Sequence, residues 1–280
     1  FFANFKIQNE GSRENIFVIV ENGNAAFNYR DVAGKMSNKL RITMLTLNYC
    51  HQTCWNTIDK PWNGFCAPED FLGNYKEGDR RGPCPADAGT HGCDGWGWFL
   101  GPVFESDDSD VILEMTDKQK GLKAIIVPQV TSLTDATHND GARFLKYEVD
   151  KVGANKYCEN DFVLLRYADV LYMQYEAALR AGNTAKCSEL LANPEFMKIR
   201  SRVGCAPYTS LDLDELLVER GREFAWELVR RRDLIRYDRF AKGKWDFKEA
   251  DIDNHRDWFP IPRKMIETSG GLWTQNQGYE

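Results

Sequence analysis

Between Cys54 and Gly101 the chain meets a proline or a glycine thirteen times, beginning at Pro61 and ending at Gly101. No interval between them accommodates more than a turn or two of helix, so this stretch has to be built as loop. Four of the eight tryptophans lie inside it, Trp55, Trp62, Trp96 and Trp98, with Tyr75 among them. A loop region of that length is either functional or unfolded, and its aromatic content argues for an ordered one. The whole chain supports this: 42% of its 280 residues are hydrophobic and 28% charged, an ordinary globular balance with enough chain for a substantial core. By length it makes one large domain or two small ones.

Charge and cysteine content narrow the function classes. A net charge of −6 argues against a general polyanion binder such as a nucleic-acid protein, because neutralising phosphates takes a surplus of Lys and Arg. No run of about 18 apolar residues is present, so no segment reads as a membrane-spanning helix. The first residue is Phe, and "FFANFKIQNE" reads as sequence from within a domain, which suggests a fragment or a processed chain. The eight cysteines have irregular spacings, without the regular C-x-x-C pairs of a structural zinc site. Disulfides in an oxidising compartment are expected for some of them. His51 and His91, each close to a cysteine, leave a zinc site open, and Cys187 fits a small core residue on a helix.

Along the chain, "NIFVIV" (Asn15 to Val20) reads as a buried strand, and "LRITMLTL" (Leu40 to Leu47) fits neither period. "DGARFLKYEVDK" alternates Phe144, Lys146 and Glu148 against Leu145, Tyr147 and Val149, as a short strand does. From Asp161 the pattern becomes helical. Leu164, Ala168, Leu171, Tyr175 and Ala178 share one face, Gly182 ends the helix, and Thr184 is placed to cap the next. Pro194 interrupts that second helix. The two helices form a hairpin of tetratricopeptide type, in one copy. A third helix starts near Asp212, with Glu215 three residues on as in a capping box, and its pattern continues as one long helix to Phe240. Arg220, Glu223, Glu227 and Arg230 stand at pairing distances along it, and "VRRRDLIR" reads as a helix with ion pairs rather than an anion patch. Near the end, "WFPIP" is an extended piece in which Pro260 and Pro262 fix the backbone.

The order "LLRYADVLYMQYEAALRAG", "IRSRVG", "LLVERGREFAWELVRRRDLIRYDRF", "FPIP" and "TQNQGY" resembles the C-terminal part of the SusD/RagB family, with further echoes in "WNGFCAPEDF", "DRR" and "GARFLKY". Gln275-Asn276-Gln277 departs from the Asn-Pro that the family usually carries before Gly-Tyr. The resemblance implies a mainly α fold of tetratricopeptide-like helix pairs, an α-α superhelix, with a large irregular ligand-binding part and a few short strands. It implies a lipid-anchored protein of the outer-membrane cell surface that binds oligosaccharide or another nutrient. Such a protein delivers its ligand to a SusC-type TonB-dependent transporter and is not an enzyme. The lipid anchor would belong to a missing N-terminal part. The expected organisation is a loop-rich ligand-binding part over residues 1–160, helices over 161–245 and an extended strap over 246–280, all within one domain.

Glycan recognition needs flat aromatic faces for the apolar side of a sugar ring and polar groups for its hydroxyls. Trp62 with Asn63 supplies one such pair and Trp96 with Trp98 another, while Trp55, Tyr75 and Arg81 complete the candidate ligand-binding set. Burial is the commoner fate of any single tryptophan, and Arg81 is also suited to an ion pair with Asp79 inside the loop. "ESDDSD" (Glu105 to Asp110) is more naturally a solvated acidic loop than a Ca²⁺ site, since it lacks the glycine and terminal glutamate of an EF-hand. No G-x-S-x-G, H-E-x-x-H or phosphate-binding loop is present, and no local motif selects a pair of carboxylates. A secreted carbohydrate-active enzyme and a purely protein-binding helical module are the alternatives to a nutrient-binding protein.

Overall fold

The computed structural model describes residues 1–21, 45–57, 60–115, 120–149 and 159–279. Most of the apolar run from Leu40, together with Cys158, lies outside them. The chain divides into two compact units, Phe1–Glu223 and Phe224–Glu280. In the first unit the elements follow as β1 (Asn15–Ile19), α1 (Glu69–Leu72), β2 (Trp98–Phe99), β3 (Gly101–Pro102), β4 (Ile125–Ile126), β5 (Arg143–Phe144) and β6 (Phe162–Arg166). Helices α2 (Tyr167–Arg180), α3 (Thr184–Leu191), α4 (Pro194–Ser201) and α5 (Leu213–Glu223) complete it. The second unit carries α6 (Arg230–Arg236) and α7 (Arg263–Thr268). Regular structure is therefore mainly helical, with strands that pair only as the antiparallel ribbons β1–β6, β2–β5 and β3–β4 among the described residues.

The helical hairpin forms as its periodicity predicts, with two differences at its start. Helix α2 begins at Tyr167, because Phe162–Arg166 pairs with β1 as a strand, Val18 opposite Val163 and Ile19 opposite Phe162. The cap of α3 is Asn183, whose side chain accepts from the Lys186 amide at 2.9 Å, rather than Thr184. Asn193 caps α4 in the same way, with Pro194 at its first position, where a missing N–H costs nothing. Ala168, Leu171, Tyr175 and Ala178 of α2 are buried against α3, α4 and α5, with Phe196 packed on both Tyr172 and Tyr175. Strand β1 exists where expected but is not buried. Its Ile16, Phe17 and Ile19 are exposed, Phe17 by 62%, on a ribbon that among the described residues has only two strands.

The long third helix is two helices. Helix α5 ends at Glu223 and α6 starts at Arg230, with Trp226 and Leu228 at positive φ between them. No proline or glycine marks this break in the sequence. Its cause is at the Glu223 carbonyl, which would accept from the Glu227 amide in a continuous helix. That carbonyl instead accepts from Lys146 Nζ at 2.9 Å and Arg166 Nη2 at 2.8 Å. The Glu227 amide turns back to the Phe224 carbonyl at 3.0 Å.

The charges on α5 also differ from a solvated face. Arg81, Arg166, Arg200, Arg202 and Arg222 form one connected network with Glu14, Asp79, Glu215, Glu219 and Glu223, at distances of 2.5–2.9 Å. Glu219 and Glu223 are fully buried. The network joins the loop region (Asp79, Arg81), the ribbon (Glu14, Arg166) and the helices, so it sets how these parts meet. Arg220 pairs separately with Asp169 at 2.7 Å.

Within the second unit, the extended "WFPIP" piece is tied to the chain end by side-chain amides. Gln275 accepts from the Ile261 amide at 2.7 Å and donates to its carbonyl at 2.9 Å. Asn276 donates to the Phe259 carbonyl, and the Tyr279 hydroxyl to that of Trp258. Arg231 lies over the Phe259 ring at 4.1 Å and donates to the carbonyls of Arg256 and Asp257.

Candidate functional site

The loop stretch is held by its own aromatics. Trp98 pairs with Phe144 across β2–β5 and packs on that ring at 4.9 Å, with the Phe71 ring at 5.9 Å on another side. Its indole N–H donates to the Tyr75 hydroxyl at 3.2 Å, which in turn donates to the Arg222 carbonyl. Burial pushes the Tyr75 phenol well above its usual range. At Gly97 the backbone passes so close to Arg81 that a Cβ would stand 1.9 Å from its carbonyl oxygen, so only glycine fits.

Beside this core is a cavity of about 450 Å³. Phe2, Ile7, Trp55, Trp96, Leu145 and Val149 supply its apolar wall. Lys6, Asp94, Lys146 and Glu148 add charged groups to the lining. Lys146 is buried, with its ammonium bonded to the Glu223 carbonyl and 4.4 Å from the Phe5 ring centre. Glu148 is exposed and accepts from the Ile7 amide at 2.9 Å, which fixes the N-terminal turn against residues 145–149. Trp96 is half-buried and carries Arg80 over its ring at 4.2 Å. A half-open indole beside several charged hydrogen-bonding groups can stack on a sugar ring and satisfy hydroxyls at once.

The seven sequence candidates separate. Trp96 and Trp55 come together on this cavity, although Trp55 is 2% exposed and packs edge-on against Phe99. Trp98, paired with Trp96 as a stacking candidate, is 3% exposed and has its rings covered by Phe71 and Phe144, so it is core. Arg81, 1% exposed, is taken up by Asp79, Glu219 and Glu223 and has no reach to a ligand. Tyr75 serves Trp98 and Arg222. Asn63 sits at positive φ and accepts from Arg143 Nη1 at 2.9 Å, a turn-fixing role, while its neighbour Trp62 is 44% exposed and does not line the cavity. Lys6, Asp94 and Glu148 were not singled out from the sequence. The alternation over 140–151 sets Glu148 and Val149 on opposite faces of a strand, yet among the described residues there only Arg143–Phe144 forms strand, and both residues line the cavity. Nor did it carry any sign that residues 2–7 would join them.

The cysteines and acidic loop give no built site. The seven described cysteines are not joined to one another. Cys84 uses its thiol on the Leu100 backbone at 3.4 Å, inside the core. His51 is fully buried, and burial, with help from Arg143 and His138, lowers its pKa to about 3, so it is neutral. Among the described residues no three His, Cys, Asp or Glu side chains converge to hold a metal, at Glu105–Asp110 or elsewhere. Among them, too, no helix is long and apolar enough to cross a membrane.

Comparison with known proteins places these features in context. The family model described as the SusD family matches residues 21–279. The starch-binding protein SusD of Bacteroides thetaiotaomicron is 29% identical over 132 residues, which is 44% of this chain and 22% of that protein. The surface glycan-binding protein A from Bacteroides thetaiotaomicron, solved in complex with laminarihexaose, superposes with a TM-score of 0.66 at 20% identity, covering 99% of this chain and 54% of its own. The corresponding protein from Bacteroides uniformis gives a TM-score of 0.59 at 18% identity, over 98% of this chain and 51% of its own. The chain thus spans about half the length of these solved structures, and at such identities the likeness shows the shared fold.

Proposed function

Because this chain belongs to the SusD family, we propose that it binds oligosaccharide at the bacterial outer-membrane surface and hands it to a SusC-type TonB-dependent transporter, without cleaving it. The lipid anchor that would hold it at that surface belongs to this same reading. The observation that carries the binding role is Trp96, half-open on a cavity of about 450 Å³ beside Lys6, Asp94 and Glu148. That volume lies within the range of about 300–1,000 Å³ usual for small-ligand sites.

Titration calorimetry with laminarihexaose and retardation in starch gels test the reading. Wild type should bind at least one probe, and Trp96→Ala should weaken it about tenfold or more while leaving the melting temperature nearly unchanged. Binding that survives Trp96→Ala intact would remove this cavity from the mechanism. A second reading rests on one specific feature: Asp94 and Glu148 line the same cavity, and paired carboxylates across a cleft are what a glycosidase uses. Reducing-sugar release by wild type that disappears in Asp94→Asn and Glu148→Gln would establish that reading instead. Recovery of a barrel protein with the native complex would support the transporter partnership, and its absence would count against it.

A further inference from the structure

Trp96 is not a free-standing side chain. Its own amide is bonded back to the Cys93 carbonyl at 3.1 Å, closing a turn through Asp94 and Gly95. Arg80 clamps that turn from outside: Nε donates to the Gly95 carbonyl and Nη2 to the Asp94 carbonyl, both at 2.9 Å. The same guanidinium lies over the indole at 4.2 Å. Arg80 is itself anchored by its backbone, its amide donating to the Val203 carbonyl and its carbonyl accepting from the Gly97 amide, each at 3.0 Å. Gly95 is at φ +73°, and a Cβ there would stand 2.7 Å from Arg80 Nη2, so the turn is closed down onto the guanidinium.

A planar fork can fill two carbonyls and cover a ring at the same time, which an ammonium cannot. The geometry points to Arg80 as a positioning residue that occupies one face of Trp96 and presents the opposite face to the cavity. This rests on the glycan-binding reading above and adds to it the stacking mode. Trp96 takes one sugar ring on one face, not a ring on each, and its orientation is set before the ligand arrives. Preset orientation raises affinity by reducing what must be ordered on binding.

The test is a double-mutant cycle between Arg80 and Trp96, read by calorimetry with laminarihexaose and with soluble starch as probes. Arg80→Ala should weaken binding about three- to tenfold, as expected for loss of a cation–π contact and its ordering effect. Arg80→Lys, which keeps the charge but not the fork, should recover only part of this. In a Trp96→Ala background Arg80→Ala should cost nothing further, because its effect passes through the indole. In the free protein, the Trp96 indole N–H resonance, assigned with Trp96→Phe, should shift or broaden in Arg80→Ala. An unmoved resonance overturns the proposal whatever the ligand. An Arg80→Ala loss that persists undiminished beside Trp96→Ala overturns it as well, by placing Arg80 in some other role. Wild-type binding by Trp96→Ala itself would instead sink the glycan reading of the cavity, and this proposal with it.

Discussion

Glu223→Gln is the sharpest single probe of how this fold is held. The side chain is fully buried, and its carboxylate meets Arg81 at 2.8 Å, Arg166 at 2.6 Å and Arg202 at 2.6 Å. Burial acts to raise its pKa, but Arg166, Arg202 and Arg81 outweigh that and hold it well below the usual carboxylate range. Glutamine keeps the shape, removes the charge and turns an N–H₂ group toward guanidiniums that can only donate. The network then holds five arginines against four carboxylates, with Arg81 and Arg166 fully shut off from water. Removing one partner of a buried ion pair costs about 3–5 kcal/mol, because the other charge stays buried. For a unit of this size each kcal/mol is worth about 2–4 °C, so melting should fall by roughly 6–20 °C. Urea unfolding followed by circular dichroism gives the free energy directly. As control, Lys186→Ala breaks an exposed pair with Glu189 and should change stability by less than about 1 kcal/mol. A loss below about 1 kcal/mol for Glu223→Gln would show that the arginines are hydrated and that the network does not join the parts as argued.

The remaining predictions address other parts of the chain. Trp98→Ala should destabilise by about 3–5 kcal/mol as a core truncation, measured by chemical denaturation, whereas Trp96→Ala should act on binding alone. Gly97→Ala should cost at least about 1–3 kcal/mol, since its Cβ would meet the Arg81 carbonyl and the backbone has to move; an unchanged melting curve would contradict the geometry. Acid stability should fall in two windows. Neutral buried His51 has a folded pKa lowered from 6.5 to about 3, so the unfolded chain binds the extra proton and stability falls as pH drops below about 6.5. Glu223 and Glu219 have depressed folded pKa values, so their contribution is present above about 4.5 and is lost below it. His51→Gln should flatten only the upper window. Gln275→Ala removes both bonds to Ile261 and should speed hydrogen exchange at the Ile261 amide about tenfold, with no effect on glycan binding.

Much of the helical part was legible because its determinants are local. The apolar face Ala168–Leu171–Tyr175–Ala178, the turn at Gly182 and the stop at Pro194 all act within a few residues, and each does in the structure what its pattern predicts. Even there, Phe162–Arg166 became strand because Asn15–Ile19 was available to pair with it, an option that the helical window does not contain. The Gly and Pro spacing from Pro61 likewise required a loop region, and its aromatics an ordered one, without deciding which aromatics would face out.

That decision belongs to tertiary structure. Trp96 and Trp98 are two residues apart and identical in chemistry, yet one is buried between Phe71 and Phe144 while the other borders a cavity under Arg80. Arg81 and Glu223 are 142 residues apart and join the same buried network, so a charge that reads as surface on its own helix ends in the core. The α5–α6 break has the same origin, since Lys146 and Arg166 take a carbonyl that the helix would otherwise use. By itself the sequence determined which segments could coil, turn or extend, because those preferences act along the chain. Which charges were buried and which indole stayed open was decided by residues brought together only on folding, because partner and water exclusion arrive with them.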